Sequence, residues 1–173
     1  MSSAPVGTTV VSLTLAQSLG EWAAQEQSTA TDMGSNTVLV GSTSDDQVGF
    51  YGVTELSNGN YLVRSPFWHN DSATNAGAIT WGNGATGISG VVSSNNSLIG
   101  STSGDQVGYS HDGVTELTNG NYVVRSPMWD NGSAIDAGAV TWGDGSTGIS
   151  GMVGSNNSVV GSTSGDQVGY GHR

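Results

Sequence analysis

The sequence predicts an all-β fold of repeated four-stranded antiparallel blades, forming a β-propeller that oligomerisation completes. Three observations carry this expectation. A segment of about 61 residues occurs twice, at 52–112 and 113–173, after a partial copy; such a period marks a repeat architecture. Within each copy, short runs rich in Val, Ile, Leu, Tyr and Trp are separated by Gly, Asn, Asp and Ser, the residues that end strands and make turns. Each copy holds four such runs, and four-stranded units are the blades of propellers.

The second copy gives the elements in order. Gly113–Leu117 alternates apolar and polar residues as a first strand. Asn119-Gly120 follows, a hairpin signal, because a type I′ turn needs positive φ at both central residues. Asn121–Ser126 is the second strand, and Pro127 ends it, having no N–H for the ladder. A polar loop, 130–134, leads to a third strand at Ala137–Trp142. A Gly/Ser-rich connection, anchored by Met152 and Val153, precedes the fourth strand at Ser158–Ser162. The first copy repeats the pattern at 52–56, 60–65, 76–81 and 97–101.

The chain therefore divides into an N-terminal segment, 1–36, a strand closing an incomplete first repeat within 37–51, and two blades at 52–112 and 113–173. Met33–Thr43 aligns with Val153–Thr163 across a one-residue gap, which places a strand at 37–43. Upstream, Leu15, Leu19, Trp22 and Ala23 fall at helical spacing and favour a helix over 12–27. The alternative is a degenerate repeat, with Val10-Val11 matching Val123-Val124 and Trp22 matching Trp142.

Composition narrows the function classes. Fourteen acidic residues face three basic ones, for a net charge of −11. Nucleic acid, which demands Lys and Arg against phosphate, is not an expected partner, nor is an anionic membrane surface. No apolar run reaches the roughly eighteen residues of a membrane span. Cysteine is absent, so disulfides and Cys-based metal sites are excluded. Low lysine with abundant Ser, Thr, Asn and Gly is associated with an extracellular or cell-surface location.

GDQVGY, GVTELTNGNYVVRSPMWDNG and AGAVTWG together resemble the FG-GAP type of β-propeller repeat, as in integrin α-chain heads and bacterial surface proteins. Val107-Gly108 stands at the FG position, Val124–Pro127 at the GAP position and Gly138–Trp142 at the third strand. The resemblance spans roughly residues 37–173 and implies extracellular recognition, as in adhesion modules and lectins. Integrin blades often carry a calcium loop between the first two strands. Here that place holds only Ser57-Asn58-Gly59 or Thr118-Asn119-Gly120, so no calcium function carries over.

No catalytic constellation is evident. His69, His111 and His172 do not recur at equivalent positions, and no G-x-S-x-G element is present. No metal site or cofactor is expected: Asp130, Asn131 and Asp136, or His69, Asn70, Asp71 and Asn75, fit no EF-hand spacing. The recurring S-(G/D)-D-Q motif reads as structural, with Asp closing a turn and Gln bonding between blades. Glu55 and Glu116 are expected to face solvent, with Arg64 and Arg125 as cross-strand partners.

The candidate ligand site is a sugar site. Trp68 and Trp129 stand where the second strand meets a loop, so their rings could stack on a pyranose while His69, Asn70, Asp130 and Asn131 bond its hydroxyls. The opposing reading makes the two tryptophans plugs beneath the loop. Two blades and part of a third would leave strand edges unpaired, so a homo-oligomer, a dimer or trimer closing a ring, is expected. A piece of a longer array, or an elongated solenoid, is the alternative. The expected function is non-catalytic extracellular recognition, multivalent carbohydrate binding above all; a self-assembling scaffold without a small-molecule ligand is the rival.

Overall fold

The computed structural model describes residues 10–12 and 38–171. These form strands β1 (Val10–Ser12), β2 (Val38–Val40), β3 (Val53–Glu55), β4 (Tyr61–Ser65), β5 (Ala78–Gly82) and β6 (Gly90–Val91). Then follow β7 (Ser97–Ile99), β8 (Val114–Glu116), β9 (Tyr122–Ser126), β10 (Ala139–Gly143), β11 (Gly151–Met152) and β12 (Ser158–Val160). There is no helix among the described residues. The described residues are all-β, with one sheet built on each of the two repeated units and a third before them.

Each repeat folds as an antiparallel meander, β3-β4-β5-β7 in the first and β8-β9-β10-β12 in the second. The hairpins differ from the expected type. Leu56 N donates to Asn60 O and Gly59 N to Leu56 O, enclosing the three-residue loop Ser57-Asn58-Gly59. Only Gly59 and Gly120 take positive φ there, 85° and 81°, and the preceding asparagines do not. This is the three-residue hairpin, a turn closed by one left-handed glycine, rather than the two-residue type I′ turn. Opposite the hairpins, the β4 and β9 tyrosines lie over cross-strand glycines. Tyr61 faces Gly82 and Tyr122 faces Gly143 in register. A Cβ on either glycine would fall 2.2 Å from the partner ring, so only glycine fits.

One element of each repeat was not anticipated. After the third strand the chain leaves its own sheet and adds a two-residue parallel strand to the preceding one. In the first repeat β6 pairs with β2, and in the second β11 pairs with β7. Val92 N and Val153 N then bond to Val40 O and Ile99 O, and both side chains are buried. Val153 thus anchors the connection as expected, while Met152 stays exposed.

The sheets stack face on face, so the middle one is covered on both sides. On one side Tyr61, Val63, Ala78 and Ile99 pack with Leu39, Val48 and Val92. On the other, Leu62, Ile79 and Leu98 pack with Tyr122, Val124, Ala139 and Val153 of the second repeat. Alternation of side chains across a strand produces this division.

The start of the chain corrects one expectation. Val10 pairs with Val40 as Ala139 pairs with Val160. Strand β1 therefore occupies the third-strand place of the incomplete unit, not the second-strand place assigned by matching Val10-Val11 to Val123-Val124. Apart from Ser12, which belongs to β1, the helix expected over 12–27 and the alternative for Trp22 lie outside the described residues.

Tyr122 supplies a pH test of the packing. Its side chain is fully buried, and burial pushes the phenol up to about 12, against an ordinary 10.0. The unfolded chain ionises first, so this contribution is complete below about pH 10 and is lost as pH rises toward 12. Melting temperature should fall across that window, and Tyr122→Phe should flatten the fall.

Candidate functional site

The loops after β4 and β9 hold the six residues expected to bind a sugar. In each, the chain turns at the tryptophan: Trp68 N donates to Ser65 O and Trp129 N to Ser126 O. The loop is closed by Gly77 N on Trp68 O and by Gly138 N on Trp129 O. This geometry points the indoles inward. Trp68 is 3% exposed and Trp129 4%. Each sits in one of the two cores between stacked sheets. The stacking role expected of them is thereby corrected, because neither ring offers a face to a ligand. They are the plugs of the opposing reading.

The polar neighbours serve the loop itself. Asn70 Nδ2 donates to Gly100 O, and Asn131 Nδ2 to Gly161 O. Asp130 Oδ1 accepts from Asp136 N at 2.8 Å. His69 Nδ1 lies 3.3 Å from Asp46 Oδ1. All four sit beside the tryptophans as expected, but the bonds of Asn70, Asn131 and Asp130 hold backbone in place, and the His69 ring lies against a carboxylate.

The recurring aspartate joins the units. Asp105 Oδ2 accepts from Ser101 N and Thr102 N, and its Oδ1 accepts from Thr102 Oγ1. That is the expected turn closure. The same Oδ1 also takes Asp130 N of the next repeat at 3.0 Å. Asp46 does likewise, closing its own turn and accepting from His69 N at 3.1 Å. Glutamine contributes through its main chain: Gln47, Gln106 and Gln167 are left-handed, and Gln106 N donates to Asn75 O. This departs from the expected bond between blades, since Asn75 belongs to the same repeat.

A second polar joint uses the hairpins. Gly145 O accepts from Asn58 Nδ2, Asn60 Nδ2 and Trp81 Nε1, at 2.8, 2.9 and 3.1 Å. Glu116 Oε1 accepts from Ser57 N at 2.6 Å, and the hydrogen bonds from Ser57 hold its carboxyl below the ordinary value. In place of the expected Glu–Arg pairs, Glu116 thus reaches the preceding repeat, while the arginines bond within their own, Arg125 Nη2 donating to Thr115 Oγ1. Arg64 donates instead to Gly108 O and Ser110 O.

Sequence reasoning missed an aromatic edge. Phe50, Tyr51, Phe67 and Tyr109 form one cluster, with centroids 5.3 to 6.0 Å apart. The Arg64 guanidinium carbon stands 5.5 Å from the Tyr51 ring centre. In the second repeat, methionine replaces Phe67, and a cleft of about 380 Å³ lies among Tyr109, Arg125, Met128 and Tyr170. The signal was available: the residue closing each (D/G)DQVG motif is aromatic, as Phe50, Tyr109 and Tyr170. Among the described residues, no group of three or more His, Asp or Glu could hold a metal ion.

A family model described as a repeat of unknown function (DUF5650) matches residues 55–109 and 116–170, together more than half of the chain. The chain belongs to this family. Each DUF5650 repeat matched here ends on the tyrosine of the aromatic edge, Tyr109 or Tyr170. The match supports a tandem repeat protein, without extending to the FG-GAP type in particular. No curated protein and no solved structure matches the chain.

Proposed function

We propose that this DUF5650 protein is a non-catalytic scaffold, a module whose four-stranded units stack to build an extended surface. One observation carries this reading. The recurring polar side chains that could have served a ligand spend their hydrogen bonds on joining units, from Asp46 and Asp105 to Asn58, Asn60 and Trp81. A motif repeated for recognition would leave such groups open to solvent. Face-to-face stacking of meanders is also how propeller blades meet, and it favours the finer reading of the scaffold as a ring of such units. Composition favours an extracellular or cell-surface setting.

A second reading keeps carbohydrate recognition but moves it. Phe50 is 63% exposed and Tyr170 56%, and they stand at either end of the aromatic edge. Rings repeated along one edge could give multivalent capture without strong single sites. A glycan panel separates the two readings. The scaffold predicts no retained glycan. A glycan captured by the wild type and lost in Phe50→Ala with Tyr170→Ala would overturn the scaffold in favour of recognition.

A further inference from the structure

The outer face of the second repeat is the same surface that the first repeat buries. In the first repeat Leu62, Ile79 and Leu98 are at most 1% exposed beneath the second repeat, and Trp81 packs beside them. Their equivalents one period later are Val123, Val140, Val159 and Trp142. Val123 and Val140 are only half-buried, Trp142 is 50% exposed and Val159 71%. An apolar face of this kind marks an interaction site.

Three further features of that end are internal joints left open. Strand β7 receives β11 along its outer edge, and β2 receives β6; among the described residues no strand pairs with the outer edge of β12. Asp46 and Asp105 are buried and each takes an N–H from the next unit, whereas the equivalent Asp166 is exposed and bonds only within its own turn. Asn58, Asn60 and Trp81 grip a backbone carbonyl of the next unit, and the second repeat carries the same donors as Asn119, Asn121 and Trp142.

The opposite end presents a matching face. Leu39 packs against the first repeat, so alternation turns its neighbours Val38 and Val40 the other way. Both are half-buried, and Val91, paired beside Val40, is 49% exposed. One end is therefore an uncovered copy of an interface the molecule already makes, and the other end is an apolar sheet.

We propose that the outer face of the second repeat docks the β1-β2-β6 sheet of a second copy of this chain, head to tail. The apolar contact is Val159 and Trp142 against Val40 and Val91, continuing the stack across the molecular boundary. An interface between two different faces leaves each copy with one face free, so association proceeds to a closed ring or an open filament according to the rotation per copy. The inference rests on the scaffold reading only in treating stacked units as one kind of interface. Glycan capture would overturn that reading and leave this one standing.

Sedimentation equilibrium of the full chain over a dilution series tests it, with Val159→Lys, Val91→Lys and their equimolar mixture alongside the wild type. The wild type should associate. Each variant alone should be monomeric with an unchanged melting temperature, since both positions are exposed. The mixture should recover a dimer and go no further, because each variant retains one sound face. If Val159→Lys melts lower, Trp142→Gln on the same face reads the same contact. A wild type that is monomeric at every concentration overturns the proposal. So does a Val91→Lys that associates like the wild type, since two outer faces would then be meeting each other.

Discussion

Asp105→Ala should cost about 3 to 5 kcal/mol of stability, among the largest single effects in this chain. The carboxylate is fully buried and accepts from Ser101 N at 2.7 Å, Thr102 N at 2.8 Å and Asp130 N at 3.0 Å, besides the Thr102 hydroxyl. Hydrogen bonds to an ionised acceptor are stronger than neutral ones, and removing the acceptor strands several donors where water does not readily reach. Three of those donors belong to the turn and one to the next repeat, so the substitution loosens a local closure and a joint between units together. Asp166 provides an internal control. It closes the same turn with Ser162 N and Thr163 N, and those bonds hold its carboxyl below the ordinary value. Yet it is exposed, and its donors can turn to water. Urea unfolding should show a large loss of midpoint for Asp105→Ala and a small one for Asp166→Ala. Equal losses would mean that the turn alone matters and that the reach to Asp130 adds nothing.

The contrast between these two aspartates shows where the sequence was legible. The motif is nearly identical in both copies, and the turn closure could be read from residue types four positions apart. The bond to Asp130 spans 25 residues and exists only because the sheets stack; no local pattern encodes it. The same division runs through the fold. Strands of three to five residues with turn residues at their ends were placed to within two residues in the repeats and within three in the strand before them. Strands β6 and β11 escaped, because two residues show no periodicity and their partners lie in the preceding unit. The hairpin type was misread because Asn-Gly names the glycine, while loop length is set by the pairing of Leu56 with Asn60. At the candidate site, residue identity and neighbourhood were legible but direction was not. A tryptophan at a strand end can face either side, and the turn from Ser65 O to Trp68 N decides which. The aromatic edge was overlooked because its rings come from different units and become a cluster only after stacking.

Trp68→Ala and Trp129→Ala should each lose about 3 to 5 kcal/mol, the usual cost of truncating a buried tryptophan. The loss has two parts, transfer of the indole out of the core and the cavity left behind, which a close-packed interior only partly refills. The two rings plug different cores, Trp68 that between the N-terminal sheet and the first repeat, Trp129 that between the two repeats. With no contact in common, their costs should nearly add. The sum is comparable to the whole stability of an ordinary domain, about 5 to 15 kcal/mol, so the double variant should be largely unfolded by circular dichroism at room temperature. Phenylalanine at either site should recover part of the loss, because an apolar ring refills most of the cavity and neither indole N–H has a protein partner to forfeit. The measurement also decides between plug and sugar platform. A platform tryptophan could be truncated without lowering the urea midpoint, and only ligand capture would suffer. If the double variant unfolds at the wild-type midpoint and loses a captured glycan, the rings are a binding surface. If its midpoint collapses, the tryptophans belong to the stack, and recognition, if the protein performs it, falls to the aromatic edge from Phe50 to Tyr170.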